Sequence, residues 1–435
     1  MFRPISILDA VHPEPCPCRR VQQAMDTYPT RAAALSRLSA FLPAAGRRYA
    51  ETRNHDDGPA DEGRGNVSQL SPWLHAGLIG ERDVLEAVLS RHSQRDAEKF
   101  IAEVFWRIYF KGYLEQRPAI WDDFRTGRDS ALAALERNAG IRTAYSKATE
   151  GRTGIEAFDI WVRELVETGY LHNHARMWFA SIWIFTLRLD WRLGADFFLR
   201  HLMDGDAASN TLSWRWVAGL HTKGKHYMAR ADNIARYTAG HPQGPLAAEG
   251  LAADADPLEE PQEYGRRQLD LPAPVSAAEL AQPFALLLHD EAAHHAPLAL
   301  PAAPALVIGA ARPEARTPGE TGLLAREFAQ GAVAGGMAEA AAQFGCPAAE
   351  WDAGKPLAPL LAAAGVERIA LPYLPAGWTR DALWPDLAPL VAAGRVVTLL
   401  GDLDRTTWPH AKAGFFGVSK VIEGILRECG IGTAG

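Results

Sequence analysis

Through the first half of the chain, apolar residues recur every three or four positions. In TGIEAFDIWVRELVETGY, Ile155, Phe158, Trp161, Val162, Leu165 and Val166 fall on one helical face, and Gly169 stands where that helix would stop. The same spacing runs through AEKFIAEVFWRIYFKGYLEQ and RMWFASIWIFTLRL, and period-two alternation is scarce. The pattern predicts an all-helical domain over residues 28–240, preceded by an N-terminal arm over 1–27. From 241 to 280 Pro, Gly, Ala and acidic residues dominate with little apolar period, which predicts a surface linker. Beyond it the short apolar runs FALLLHD, ALVIGA, RIALPYL and RVVTLL alternate with Ala-rich helical stretches. That alternation predicts an α/β domain over 281–435 with a parallel sheet, so the expected class is multidomain, α followed by α/β. No repeat recurs at a fixed period.

Composition sharpens this picture in two places. At 435 residues the chain exceeds a usual single core, and 48% hydrophobic with 22% charged residues is the balance of a globular protein. No apolar run approaches the roughly 18 residues of a membrane span, and the N-terminus lacks a basic stretch leading into an apolar one, so a cytoplasmic protein without membrane partners is expected. The four cysteines, Cys16, Cys18, Cys346 and Cys429, form no CxxC pair and are expected as reduced thiols. Charge divides unevenly: residues 1–242 hold 32 Lys and Arg against 29 Asp and Glu, while the remaining 13 and 23 leave residues 243–435 at −10. The first half therefore permits a phosphate-binding face that a uniformly acidic protein would not.

Several apparent motifs lead nowhere. GLHTKGK has P-loop spacing, but His226 comes next, where a magnesium-binding hydroxyl belongs. GAVAGG lacks dinucleotide-fingerprint spacing and lies in a helical stretch. His172 and His174, two apart, point to different sides of a helix with no third ligand placed, so no metal is expected.

Four blocks in order carry a clearer signal: NVSQLSPWLHAG, AEVFWRIYF, TGYLHNHARMWFAS with LDWRLGADFF, and LMDGDAASNTLSWRW. Together they resemble the FAD-binding helical domain of the photolyase and cryptochrome family, whose segments read close to TSxLSPYLxxG, ELxWREFY, TGWMHNRxRM, DWRxGExYF and DxDxAxNxxxWQW. The resemblance covers about residues 30–220. It implies noncovalent FAD, with Ser68, Gln69, Leu70 and Ser71 around the pyrophosphate in a loop before a helix. Val67 stands where the family often has Thr. Asn173, Arg176, Asp204 and Asp206 match positions near the flavin, Arg176 being placed to pair with Asp204, and Asn210 matches the position facing flavin N5. Trp214 and Trp191 match the first two members of an electron relay to the flavin. The third is missing from RNAGIRTAYSKATEG, leaving Trp183, Trp178, Trp121 or Tyr145 as substitutes.

The substrate side rests on the same resemblance. Glu103, Trp106 and Arg107 match a carboxyl that hydrogen-bonds a cyclobutane dimer, an indole that stacks on it and a guanidinium near DNA phosphate. Trp216 matches a lesion-pocket wall, and Asn173 and Met177 stand where enzymes for six-four photoproducts have His. The implied function is light-driven electron transfer from reduced FAD to cyclobutane pyrimidine dimers in DNA, with Glu103, Asn210, Trp191 and Trp214 as the catalytic set. The alternatives are a cryptochrome-like photoreceptor and a redox flavoprotein that repairs nothing. Lys223, Lys225, Arg230 and Arg236 supply either a basic edge or a solvated face. Family members carry an α/β domain before the helical one, whereas here it comes after, as in a rearranged relative. No antenna-pocket residue carries over, so a second chromophore is unsupported.

Overall fold

A computed structural model describes residues 28–59 and 64–432. The N-terminal arm, with Cys16 and Cys18, lies outside the described residues. Up to residue 237 every regular element is helical: α1 Arg31–Phe41, α2 Arg47–Thr52, α3 Ser71–His75, α4 Glu81–Leu89, α5 Glu98–Gln116, α6 Ala119–Arg137, α7 Ala139–Thr149, α8 Glu156–Thr168, α9 Asn173–Ser181, α10 Trp191–His201, α11 Ala207–Ala218 and α12 Ala231–Tyr237. The apolar period sets these helices, and local signals end them. In α8 Phe158, Trp161, Val162 and Leu165 are buried, and Gly169 closes the helix in the left-handed conformation at φ 67°. A single π-helical turn, Ile182–Thr186, comes directly after α9.

After the connection come β1 Phe284–His289, β2 Leu306–Ala310, α13 Leu323–Phe344, β3 Ala348–Glu350, α14 Ala358–Ala363, β4 Arg368–Pro372, α15 Trp378–Ala392, β5 Val396–Leu399, α16 Asp402–Thr407, α17 Phe416–Ser419 and α18 Ile422–Glu428. The five strands form one parallel sheet in the order β3-β2-β1-β4-β5. β1 and β2 are buried along their whole length, which is why they read as unbroken apolar runs.

Several sets of contacts join the halves. Residues 241–280 contain no helix or strand and lie along the helices: Leu258 N–H donates to Ala218 O at 2.9 Å, the Tyr264 hydroxyl to Asp123 at 2.8 Å, and Arg267 pairs with the buried Glu115 at 2.8 Å. The C-terminal segment turns away from the sheet. Leu403, Trp408, Val418 and Ile425 join the core of the helices. Across this seam the Trp121 indole donates to Asp381 at 2.7 Å, and Arg125 pairs with Asp381 at 2.9 Å.

Candidate functional site

The turn between α10 and α11 gathers the site. Asp206 caps α11, accepting from Ser209 N–H at 2.7 Å. Two residues earlier, Asp204 faces the Arg176 guanidinium at 3.0 and 3.3 Å, a two-pronged pair, and also accepts from the Ser71 hydroxyl. Burial raises the Asp204 carboxyl, but Arg176 and Ser71 outweigh it and hold it below the usual aspartate range. Arg176 is fixed in turn by donating to Leu171 O at 3.0 Å. Asn210, one turn into α11, is anchored by its amide nitrogen donating to Ala195 O at 2.9 Å. Asn173 is exposed and Met177 half-buried on α9 beside Arg176.

Asp206 is buried against charges from distant parts of the chain. Arg107 and His75 each stand 3.4 Å away. Burial raises its carboxyl, and Arg107, His75 and Lys111 together bring it well below the ordinary value. Glu291, just past β1, pairs with Lys111 at 3.3 Å and lies with His75 and Asp206 in a group whose ligand atoms are within 4.8 Å of one another. Arg107 and Lys111 already neutralise its two carboxylates, so the group is a salt-bridged core. This corrects one expectation: Arg107 does not reach outward toward DNA phosphate. Its side chain is 11% exposed and is spent on Glu81 at 3.0 Å, Asp206 and Leu74 O, because a guanidinium at this turn of α5 finds two buried carboxylates before it finds solvent.

The loop before α3 fits the expected anion site. Ser68 and Gln69 are half-buried and Leu70 is buried. Gln69 holds φ 53°, a conformation sparse for any residue but glycine, and Arg37 donates to Ser68 O at 2.9 Å. Around it stand Arg37, Arg64 and Arg176, the last two each 5.5 Å from the Tyr170 ring centroid. Arg64 and Arg176 are engaged with carboxylates, so the strained loop with its backbone groups and serine hydroxyls, beside Arg37, is the part that suits a pyrophosphate. The paired Asp204, the capped Asp206 and the tethered Asn210 suit a hydrogen-bonding heteroaromatic ring and its ribityl chain. These residues therefore fit FAD.

On the same face of α5 as Arg107 lie Glu103, ion-paired to Arg53, and Trp106. Burial raises the Glu103 carboxyl against the opposing pull of Arg53. Trp106 stacks on Phe415 at 4.0 Å between ring centroids and 14° between planes. Trp216 instead lies against Tyr227 at 5.9 Å.

The indoles do not form one straight series. Trp214 is buried, and Gly194 of α10 admits its ring, since a Cβ there would stand 2.3 Å from it. Its ring neighbours are Phe198 at 5.2 Å and Trp183 at 6.3 Å, and Trp183 in turn meets Tyr145 at 6.0 Å. Trp191 meets Phe124 at 5.7 Å, which leads to Trp121 at 5.3 Å. Trp178 is packed between Trp161 and His174, with its indole donating to Asn233 at 3.1 Å.

Sequence reasoning missed a second buried set. Arg64 bridges Asp56 at 2.9 Å and Glu164 at 2.5 Å, and the Trp161 indole donates to Asp56 at 3.1 Å. Burial pushes Glu164 up to about 7, and His172 beside it down to about 4. Arg64 and Asp56 sit in a polar stretch without period, and only their lack of solvent marks them.

Residues 100–244 match the family described as FAD binding domain of DNA photolyase. Deoxyribodipyrimidine photo-lyase of Streptomyces griseus is 32% identical over 238 residues, covering 51% of this chain and 49% of that protein. The Thermus thermophilus protein of the same name is 33% identical over 248 residues, 56% of each. A bacterial class III photolyase structure from Agrobacterium tumefaciens aligns at TM-score 0.39 and 29% identity, covering 50% of this chain and 46% of that one. The chain thus spans about half the length of the curated relatives it matches. Residues 100–244 are therefore similar to the FAD-binding domain of DNA photolyases.

Proposed function

We propose that the protein is an FAD-dependent photolyase acting on cyclobutane pyrimidine dimers in DNA. One helix carries the reading. α5 carries Glu103, Trp106 and Arg107 on one face, at i, i+3 and i+4, and Arg107 clamps Asp206 at the start of the helix that bears Asn210. A movement of the substrate side relative to the flavin side would have to bend that helix.

When bound, FAD supplies the light-driven electron and receives it back, so the splitting of the dimer is redox-neutral. The chain's residues bind and orient. The loop at Ser68–Ser71 with Arg37 takes the pyrophosphate, the Arg176–Asp204 pair fixes the ring's polar edge, and the Asn210 amide faces it without adding charge. Glu103, its carboxyl raised by burial, donates to a pyrimidine carbonyl when protonated or accepts from a ring N–H when ionised, and Trp106 and Trp216 give a flipped dinucleotide apolar walls. Replenishing electrons would pass inward from Tyr145 through Trp183 to Trp214, with Trp191 on a side branch. We take residues 28–240 as the flavin unit, 241–280 as its connection and 281–435 as the α/β unit. A cytoplasmic location is supported by unpaired Cys346 and Cys429; among the described residues no helix is long and apolar enough to cross a membrane.

The test is repair itself. FAD-loaded protein is illuminated with blue light and a reductant beside a dimer-containing oligothymidine, with a dark control, and thymine absorbance is followed. Light-dependent recovery, lost by at least tenfold in Glu103→Ala with FAD retained, is expected. Absence of recovery at full FAD loading would sink the reading and leave a photoreceptor in its place.

A further inference from the structure

The C-terminal half carries a net charge of −10, yet residues 405–422, RTTWPHAKAGFFGVSKVI, hold Arg405, Lys412 and Lys420 and no acidic residue. This stretch is laid along α5. Gln116 donates to Trp408 O at 2.9 Å and Ala411 O at 3.0 Å, Arg117 to Lys412 O at 2.6 Å, and the Tyr109 hydroxyl to Ala413 O at 2.7 Å. Gly112 permits the contact, since a Cβ on it would stand 2.6 Å from the Trp408 ring. On its far side Val418 and Ile425 anchor the chain in the core. Held at both ends, the segment is a fixed wall beside Trp106.

Its two aromatic residues face different surroundings. Phe415 lies flat on Trp106, at the separation and angle of a stacked base, and so sets the plane of the indole. Phe416 is 70% exposed, the most exposed of the large apolar side chains among the described residues, with the Lys420 ammonium 4.2 Å from its ring centroid. A single exposed aromatic ring between two lysines, continuous with a base-stacking indole, has the makings of a strand-binding surface.

We infer that Phe416, with Lys412 and Lys420, is a nucleic-acid contact that engages the strand flanking the dimer, Phe416 stacking on a base and the lysines facing phosphates. The inference rests on the repair reading, which supplies the partner. Phe415 is a positioning residue that acts through Trp106.

Affinity of the FAD-loaded protein for a fluorescent duplex carrying one cyclobutane dimer is measured over a salt series. Phe416→Ala is expected to weaken binding about tenfold, within the range for one base on one aromatic ring, and Phe416→Tyr to restore it. Lys412→Ala with Lys420→Ala is expected to reduce the slope of log affinity against log salt by roughly 1 to 2. Since all three side chains are exposed, unchanged FAD content and unfolding midpoint will accompany these losses. Wild-type binding with an unaltered affinity in Phe416→Ala overturns the inference while leaving repair intact. Failure of the wild type to prefer dimer-containing over undamaged duplex overturns both.

Discussion

Asp206 does two jobs, and its amide separates them. Its side chain caps α11 through Ser209 N–H, and its charge answers Arg107 at 3.4 Å. Asn caps as well as Asp, so Asp206→Asn removes the charge and keeps the cap, whereas Asp206→Ala removes both. At an effective dielectric of about 20, two unit charges 3.4 Å apart attract by about 5 kcal/mol. Arg107 retains Glu81 at 3.0 Å, and the variant escapes the burial penalty of the carboxylate, so the net loss is smaller, about 2–4 kcal/mol. Losing the cap in Asp206→Ala adds roughly 1 kcal/mol. The assay is the denaturant midpoint of each variant without FAD, then flavin absorbance after reconstitution. The sign of the pH effect is a second check. Because the folded carboxyl lies well below its unfolded value, its contribution is present above the ordinary aspartate pKa and fades as pH falls through the folded one. Asp206→Asn therefore flattens the acid limb of the stability curve. Loss under about 1 kcal/mol in Asp206→Asn, with the acid limb unchanged, would refute the view that this charge organises the site.

Buried groups elsewhere give two more expectations. Trp183→Phe or Tyr145→Phe slows blue-light photoreduction of bound FAD several-fold while Trp178→Phe leaves it unchanged, as read from flavin absorbance; equal rates in all three would remove the Trp214–Trp183–Tyr145 route. Asp290, buried at the end of β1, is pushed up to about 7 by burial against the pull of Arg316. Between the ordinary aspartate value and about 7 the folded state binds more protons than the unfolded, so stability falls as pH rises through that window. Asp290→Asn should remove that slope in unfolding midpoints taken across it, and a slope identical to wild type would count against the assignment.

The helical half was legible because its periodic apolar faces are what the core requires, and α8 keeps to the sequence pattern as far as its glycine stop except at Val166, which is 44% exposed. β1, β2, β4 and β5 were legible for the complementary reason that buried parallel strands read as apolar runs. β3 was not: Ala348–Glu350 is short and largely exposed, with no run to detect. Of the site, residue types and order were visible, but partners were not. Glu103, Trp106 and Arg107 share one helical face, and the partners each meets there come from elements distant in the chain, Glu81 and Asp206 for the guanidinium and Phe415 for the indole. The π-helical turn at Ile182–Thr186 adds one residue to a turn, so an ideal helical period misplaces the side chains from there on, Trp183 among them. Residues 403–426 were expected within the α/β domain, but they pack on α5, which lies some 300 residues earlier and which no local pattern could name.

The α/β unit has a role in this site that its architecture alone would not suggest. In open parallel sheets the crevice beyond the carboxyl ends of the strands is the usual place for a ligand. Here those ends face the flavin-side turn and are filled by protein. Arg316, from the loop after β2, donates to Leu202 O at 2.8 Å and stacks over Trp378, whose indole donates to Gly205 O at 2.8 Å. His289 and Asp290, at the end of β1, are buried beside them. The backbone on both sides of Asp204 is thus pinned from across the interface. Arg176 and Ser71 orient that side chain from within the helices, while Leu202 O and Gly205 O also take donors from the second half of the chain. A sheet whose strand ends grip this turn is a mechanical part of the proposed flavin site.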